Sequence, residues 1–275
     1  MGDSEINLRI IRAMAKYYLG IDIGGSVTKL VVLRGLEKQA VSISKFPTPK
    51  NPWTLETQLI RGIEEIIIKR HMTLSGIGIG IAGILDYKRG RVSRAHNLSQ
   101  YDKWEVIRFF RWFRLPTAID NDSRCFLRAE AAWGAGRNKK NVVGLAIGTG
   151  IGGGMMFDGA IYRGTDGSAG EVGHMVIDAP HRRTLEDLGA LRAYKKFGDT
   201  TEAISIGVAN LINILNPDIV ILGGGAISSQ YFSLNKIRLA AREFIMSPLA
   251  RHTPIVKSQL GDAAQAIGAA LLFAG

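Results

Sequence analysis

The sequence predicts an α/β protein, folded as one large or two modest domains, and three observations lead there. Apolar, β-branched runs alternate with stretches of helical period along a chain of 275 residues that contains 33 glycines. Three of those runs end in glycine clusters: Gly24-Gly25-Ser26, the glycines between positions 148 and 154, and Gly223-Gly224-Gly225. The first two clusters have strand-like sequence on both sides, so strand, glycine turn and strand occur twice, as an internal duplication would leave them.

Residues 1–16 are polar and then weakly amphipathic, Met14 offers a second start, and no function is assigned to them. Residues 17–23 (YYLGIDI) form a strand with Asp22 just before the glycine turn, and residues 27–33 return as its partner. Pro47, Pro49 and Pro52 mark a connection to a helix capped at Thr54 and reaching about Arg70. Residues 77–81 alternate isoleucine with glycine as a buried strand, and residues 84–94 (ILDYKRGRVSR) have turn character. Residues 104–113 (WEVIRFFRWF) predict a surface helix whose aromatic face suits a core or subunit contact. A short strand over 115–119 leads into Asp120-Asn121-Asp122, with Asp122 the expected N-cap of a helix over 123–133.

Residues 142–157 (VVGLAIGTGIGGGMMF) are the stretch around which the chain is organised. Glycines there permit positive φ and leave N–H groups without a Cβ in the way, which suits a concave anion site, and Thr149 adds a hydroxyl. The spacing of Gly148, Gly150 and Gly153 matches a dinucleotide fingerprint, which requires a helix straight after it. Residues 155–162 contain Asp158-Gly159 and predict a hairpin instead, so the Rossmann reading is rejected. The same spacing at Gly78, Gly80 and Gly83 fails for the same reason. A long helix over 199–216 stops at Asn216-Pro217, and residues 218–226 (DIVILGGGA) form a strand ending where a base or ribose can lie against bare backbone. The last helices cover 233–246 and 263–273, with Gly261-Asp262 as a start signal.

The formal net charge of +11 is scattered, with no basic run longer than Lys139-Lys140 or Arg182-Arg183, so no nucleic-acid partner is expected. The single cysteine, Cys125, excludes an intramolecular disulfide and a cysteine metal cluster. With no signal-like start and no apolar run of membrane-spanning length, the expectation is a cytoplasmic protein without a membrane partner.

The order DIGGSVTK, GIGIGIAG, NL, IDND, GTGIGGG, GEVGH, LGGG and LGDAAQAIGAA resembles the ROK family of sugar kinases, within the actin, Hsp70 and hexokinase fold group, from Tyr17 to the C-terminus. The resemblance implies a two-domain actin-like ATPase (ribonuclease H-like) α/β fold with mixed sheets and an interdomain cleft. A small domain would cover 17–120, completed by the C-terminal helix at about 264–275, and a large domain 121–263. It implies MgATP, with Asp22 organising the metal through water. Gly24, Gly25, Ser26, Thr28, Lys29, Thr149, Gly150, Gly152 and Gly153 would surround the phosphates, and Gly223, Gly224 and Gly225 would flank the adenosine. Asp122 would be the general base. Gly83, Asn97, Asn121, Glu171, His174 and Glu186 would bind the sugar, although on local sequence alone Asn97 suits a loop satisfying its own backbone, and Glu171 and His174 a solvated loop.

Two departures from the family pattern stand out. Gly80-Ile81-Ala82-Gly83 replaces G-x-P-G, which predicts a slightly looser turn. After the histidine, family members carry C-x-C-G-x-x-G-C-x-E, whose three cysteines join it on a structural zinc; residues 175–188 (MVIDAPHRRTLEDL) are shorter and contain no cysteine. His174 and His181 alone do not make a tetrahedral site, so zinc is not expected.

The implied reaction transfers the γ-phosphate of ATP to the 6-hydroxyl of glucose, or of glucosamine, N-acetylglucosamine, N-acetylmannosamine or mannose, in a protein that the family's habit allows to be a homodimer. The alternative is a non-catalytic sugar- or nucleotide-binding sensor, since the family includes repressors. Those carry a winged-helix domain before the sugar fold, for which residues 1–16 are too few. A protein-acting ATPase draws no support from Asn97, Glu171 and His174.

Overall fold

The computed structural model describes residues 16–35, 37–95, 98–227, 229 and 232–274. The chain divides into two compact units, one of residues 1–125 with 265–275 and one of residues 126–264. The division falls inside the helix that starts at Asp122, rather than in front of it, because the strand preceding that helix is hydrogen-bonded into the first sheet as far as Asn121.

The first unit begins with β1 (Tyr17–Ile23), β2 (Val27–Arg34) and β3 (Ala40–Pro47). Helix α1 (Pro52–Glu64) starts earlier than its sequence suggests: the Asn51 side chain accepts from the Thr54 N–H at 2.8 Å and Pro52 fits the first turn, so Asn51 is the cap and Thr54 lies inside. The helix continues through a π-helical turn, Glu65–Lys69. Then follow β4 (Leu74–Ile81), the hairpin β5 (Ile84–Asp86) and β6 (Arg91–Arg94), α2 (Val106–Phe110), β7 (Thr117–Asn121) and α3 (Asp122–Trp133). The aromatic helix expected over 104–113 is only α2 and a 3₁₀ turn, but its aromatic face does pack on the core, where Trp104 and Phe110 are buried.

The second unit contains β8 (Val142–Ile147), β9 (Ile151–Phe157), β10 (Ala160–Ile161), the hairpin β11 (Val176–Asp178) and β12 (Arg183–Thr184), α4 (Leu185–Gly189), α5 (Leu191–Phe197), α6 (Thr201–Leu215), β13 (Ile219–Gly223), α7 (Leu234–Phe244) and β14 (Ile255–Lys257). Helix α8 (Ala264–Ala270) returns to the first unit.

The sheets repeat one topology. The first has the order β3-β2-β1-β4-β7 and the second β10-β9-β8-β13-β14. In each, a hairpin and a third antiparallel strand are extended by two parallel strands. The duplication seen in the glycine turns is therefore a duplication of whole sheets, mixed in the sense the sequence predicted.

Strand glycines seat helices. Gly20 and Gly78 are opposite one another in the β1–β4 register. A Cβ on either would come 1.8 Å from the Ala266 or Ala269 carbonyl oxygen, so α8 lies directly on bare backbone. No described helix is long and apolar enough to cross a membrane.

Candidate active site

In the first unit the parallel strands β1, β4 and β7 end together: Ile23 pairs with Ile81, and Ile81 with Asn121. Carboxyl ends of parallel strands are where open α/β sheets collect ligands. The turn at Gly24 to Ser26, Gly83 and Asp122 all lie at this end.

Asn121, not Asp122, caps α3. Its Oδ1 accepts from Ser123 N at 2.9 Å and Arg124 N at 3.3 Å, while its Nδ2 donates to the Gly83 carbonyl at 3.1 Å. The reason is that β7 runs on through Asn121, which puts that residue at the last non-helical position. Asp122 is thereby the first helical residue, its Oδ1 accepting from Ser123 N at 2.8 Å and Ser123 Oγ at 3.3 Å, at the positive end of the helix dipole. Gly83 has φ of +133° and a Cβ there would come 2.6 Å from the Arg94 carbonyl, so only glycine fits. Ala82, where the family pattern has proline, donates its N–H to the Ile23 carbonyl at 3.4 Å. Proline could not make that link, so the substitution ties the turn to β1 rather than simply loosening it.

Behind Asp122 lies a buried polar network that the sequence did not reveal. Asp120 is fully buried, and its Oδ1 accepts from Arg124 Nε at 2.8 Å and from the Tyr87 hydroxyl at 2.8 Å; Arg124 also donates to the Tyr87 oxygen. Burial, with the Asp120 charge next to it, pushes the Tyr87 phenol up. Burial works against the Arg124 charge, but Tyr87 and Asp120 outweigh it and raise the guanidinium further. The available signal was Asp120 and Arg124 at i and i+4 on the strand-to-helix junction; Tyr87 is far off in sequence.

At the first glycine turn, Asp22 is 4 % exposed and sits opposite Lys29 in the β1–β2 register, with Lys29 Nζ 3.6 Å from its Oδ2. Thr28 is fully buried, its Oγ1 2.9 Å from Thr48 Oγ1, and Thr48 Oγ1 donates to the Gly24 carbonyl at 2.7 Å. A hydroxyl has one proton, so Thr48 gives its own to Gly24 and receives that of Thr28. Thr28 thus shapes the turn rather than aiming its hydroxyl outward, and Thr48 is a partner the sequence reading missed. Ser26 and Gly25 are exposed.

The second glycine turn differs from expectation in mechanism. Among the described glycines with positive φ, none lies between 148 and 154. Their lack of a Cβ is used in other ways. Gly148 faces open space, and Thr149 is exposed at the tip. Gly153 is buried in β9, and a Cβ there would come 2.6 Å from Val172, so its bareness seats the following loop. The third turn adjoins the second: Gly224, at φ +92°, lies against the Ile147 backbone, and Ala226 N donates to the Ile147 carbonyl at 3.1 Å. A Cβ on Gly223 would strike the Phe126 ring at 2.5 Å, whereas Gly225 faces open space.

Glu171 precedes and His174 ends a 3₁₀ turn, Val172–His174, with both side chains about half exposed and the imidazole Nε2 4.0 Å from Glu171 Oε2. Asn97 lies outside the described residues. Glu186, in the first turn of α4, is largely covered: its Oε2 accepts from Ile151 N at 2.7 Å and its Oε1 from Arg192 Nη2 at 2.7 Å.

The segment that carries a zinc cluster in the family pattern does not fit that metal. His181 Nδ1 lies 2.9 Å from Asp178 Oδ2, closing the β11–β12 hairpin, and the His181 contact holds the Asp178 carboxyl below its usual range. Thr184 and Asp187 form a capping box at the start of α4. No group of three or more His, Cys, Asp or Glu side chains suited to a metal occurs among the described residues. Asp22 contributes a single carboxylate beside Lys29, which is compatible with a magnesium ion that keeps most of its waters.

The comparisons with known proteins agree with this architecture. A family model described as "ROK family" matches residues 18–189 and 183–275. A glucokinase of Halalkalibacterium halodurans is 25% identical over 309 residues, covering 92% of this chain and 93% of that protein. A xylose repressor of Bacillus spizizenii is 27% identical over 302 residues, covering 94% of this chain and 77% of that protein. The crystal structure of a Streptomyces griseus ROK family glucokinase in complex with glucose and AMPPNP aligns over 93% of this chain and 98% of that one, with a TM-score of 0.82 at 22% identity.

Proposed function

This chain belongs to the ROK family, and from that premise we propose that it is an ATP-dependent hexose kinase that phosphorylates the 6-hydroxyl of glucose or a related amino sugar, namely glucosamine, N-acetylglucosamine or N-acetylmannosamine. One observation carries the reading: Asp122, relieved of capping by Asn121, holds its carboxylate at the end of the parallel strands, anchored by a neighbouring N–H and hydroxyl. The kinship with glucokinases, and the AMPPNP bound to the Streptomyces protein, support ATP as donor.

Asp122 takes the proton from the sugar hydroxyl as that oxygen attacks the γ-phosphate. Asn121 orients Asp122 by fixing the helix start to Gly83. Asn97, Glu171 and His174 hold sugar hydroxyls. Gly24, Gly25, Ser26, Thr149, Gly150 and Gly152 present donors to phosphate oxygens, in a reaction that is mostly positioning and charge stabilisation. Lys29 balances the buried Asp22 charge. Asp22 would hold magnesium, which would supply neutralisation of phosphate charge.

The test is ADP release from MgATP with each sugar in turn. Asp122→Asn should leave ATP binding nearly intact and lower turnover by roughly 10²–10⁴; unchanged turnover sinks the assignment. The second reading, a sensor that binds sugar without phosphorylating it, is favoured by the similarity to xylose repressors. It predicts sugar binding with no ADP release from any of these sugars.

A further inference from the structure

We infer that the second unit carries a further anion site, suited to the phosphoryl group of a small phosphate ester, at the end of its sheet opposite the glycine turns. Strand β14 runs parallel to β13, with Val220 beside Ile255 and Leu222 beside Lys257. The segment before Ile255 therefore lies at the amino end of these strands, whereas Gly223 to Gly225 lie at the carboxyl end. At the amino end a cavity of about 350 Å³ is lined by Arg242, Pro248, Arg251 and His252. The positive charge that is scattered along the chain as a whole is gathered here: residues 234–254 contain Lys236, Arg238, Arg242 and Arg251 against a single carboxylate, Glu243. Among the described residues no carboxylate pairs with Arg242, Arg251 or His252, whereas Arg124 and Arg192 each have one.

Basic residues near a helix end can simply complement its dipole, and α7 ends at Phe244. That end is already served by other bonds. The Phe244 carbonyl accepts from Asn213 Nδ2 at 2.9 Å and the Ile245 carbonyl from Arg251 Nε at 2.9 Å. Asn213 Oδ1 also accepts from Met246 N at 2.9 Å, and Arg251 N donates to the Ser247 carbonyl at 3.1 Å, so the wall of the cavity is a braced turn. The bond to Ile245 uses one nitrogen of Arg251 and fixes its guanidinium, leaving both Nη groups without a described partner. Two guanidinium groups and an imidazole around one cavity match a dianionic phosphoryl group, since a guanidinium fork can meet two oxygens at once. A neutral imidazole still donates from one nitrogen. The volume is near the lower end of the range of about 300–1,000 Å³ for small-molecule pockets, which suits a small ester.

The imidazole of His252 serves as a local reporter. Its NMR signal, assigned with His252→Gln, is followed while the full chain is titrated with glucose 6-phosphate, with inorganic phosphate and, as a neutral control, with glucose. Saturating magnesium AMPPNP keeps these probes from the proposed nucleotide site, and salt of about 0.15 M screens general surface attraction. Glucose 6-phosphate should move the His252 signal along a saturating curve, and glucose should not. Arg242→Gln, which breaks no described hydrogen bond, should weaken that binding about tenfold, as expected for loss of one charge-assisted contact, and Arg251→Gln at least as much. AMPPNP affinity should stay within about twofold of the original in both variants. Equal affinity for inorganic phosphate would make the phosphoryl group the whole ligand, and weaker affinity would show that the cavity also holds the body of the ester. No saturable shift with either phosphate, or saturation that neither arginine variant alters, overturns the inference. The reporter lies on the cavity itself, so the result is legible even for a protein that phosphorylates no sugar.

Discussion

The turn between β1 and β2 is held by neutral hydroxyls, Thr28 to Thr48 to the Gly24 carbonyl, whereas the turn between β8 and β9 is held by a carboxylate and a guanidinium. The strands around them follow the same order, so topology does not dictate the brace. What differs is the charge each turn already carries. The first has the buried Asp22 at its entrance, where a charged brace would compete with Lys29 and with any metal. The second has no acidic side chain of its own, so a carboxylate serves as brace once Arg192 neutralises it. The first unit does bury a charged pair, but two strands along the sheet from β1, at Asp120 and Arg124 behind the proposed base.

The sharpest way to break this contrast is to remove the charge that the first unit has hidden. Arg124→Met leaves Asp120 buried and without its cation, and should cost about 3–5 kcal/mol of stability, read as a lower denaturant midpoint. Adding Asp120→Asn to it should return part of the loss, since the stranded charge disappears; no recovery would mean the pair is not the cause. A smaller effect tests the neutral brace. Thr48→Val removes both hydroxyl contacts at about 1 kcal/mol each and should weaken ATP binding with little added sensitivity to salt. Arg192→Met acts on a half-exposed ion pair, so its effect on ATP binding should shrink as salt rises; equal salt dependence for the two variants would erase the distinction.

The smallest effect concerns pH. Hydrogen bonds from the Thr184 backbone and then its hydroxyl, with Arg192 adding to them, hold the Asp187 carboxyl below its ordinary value of 3.8. The folded value is depressed, so the stabilisation is complete above 3.8 and is lost as pH falls through the lowered folded value. The protection factors of the amides at the start of α4, corrected for the intrinsic pH dependence of exchange, should therefore be flat above that point and fall only in stronger acid. A fall in protection nearer neutrality would assign the loosening to another group.

Much of this was legible from local sequence. Asp158-Gly159 read as a hairpin turn and both residues have positive φ; Asn216-Pro217 read as a helix stop and Asn216 is left-handed. The misreadings were of one kind. Asp122 was expected to cap α3 because the strand before it was taken to end too soon, and a strand's end is set by its neighbour β4, not by its own residues. Gly153 was placed beside the phosphates by family resemblance, and its missing Cβ also makes room for Val172.

By itself, then, the sequence determined the alternation of strands and helices, the two glycine hairpins and the chemical types at each motif, since periodicity and turn chemistry act between residues a few positions apart. Only the tertiary structure decided which hydroxyl holds a turn and which one is presented from it, which asparagine oxygen caps a helix, and that Glu186 reaches Ile151. Those outcomes depend on partners distant along the chain, Thr28 with Thr48, Gly83 with Asn121, Tyr87 with Asp120 and Ile151 with Glu186. Hydrogen bonding is directional and short in range, so only the folded arrangement of those partners can select among the pairings that the residue types allow.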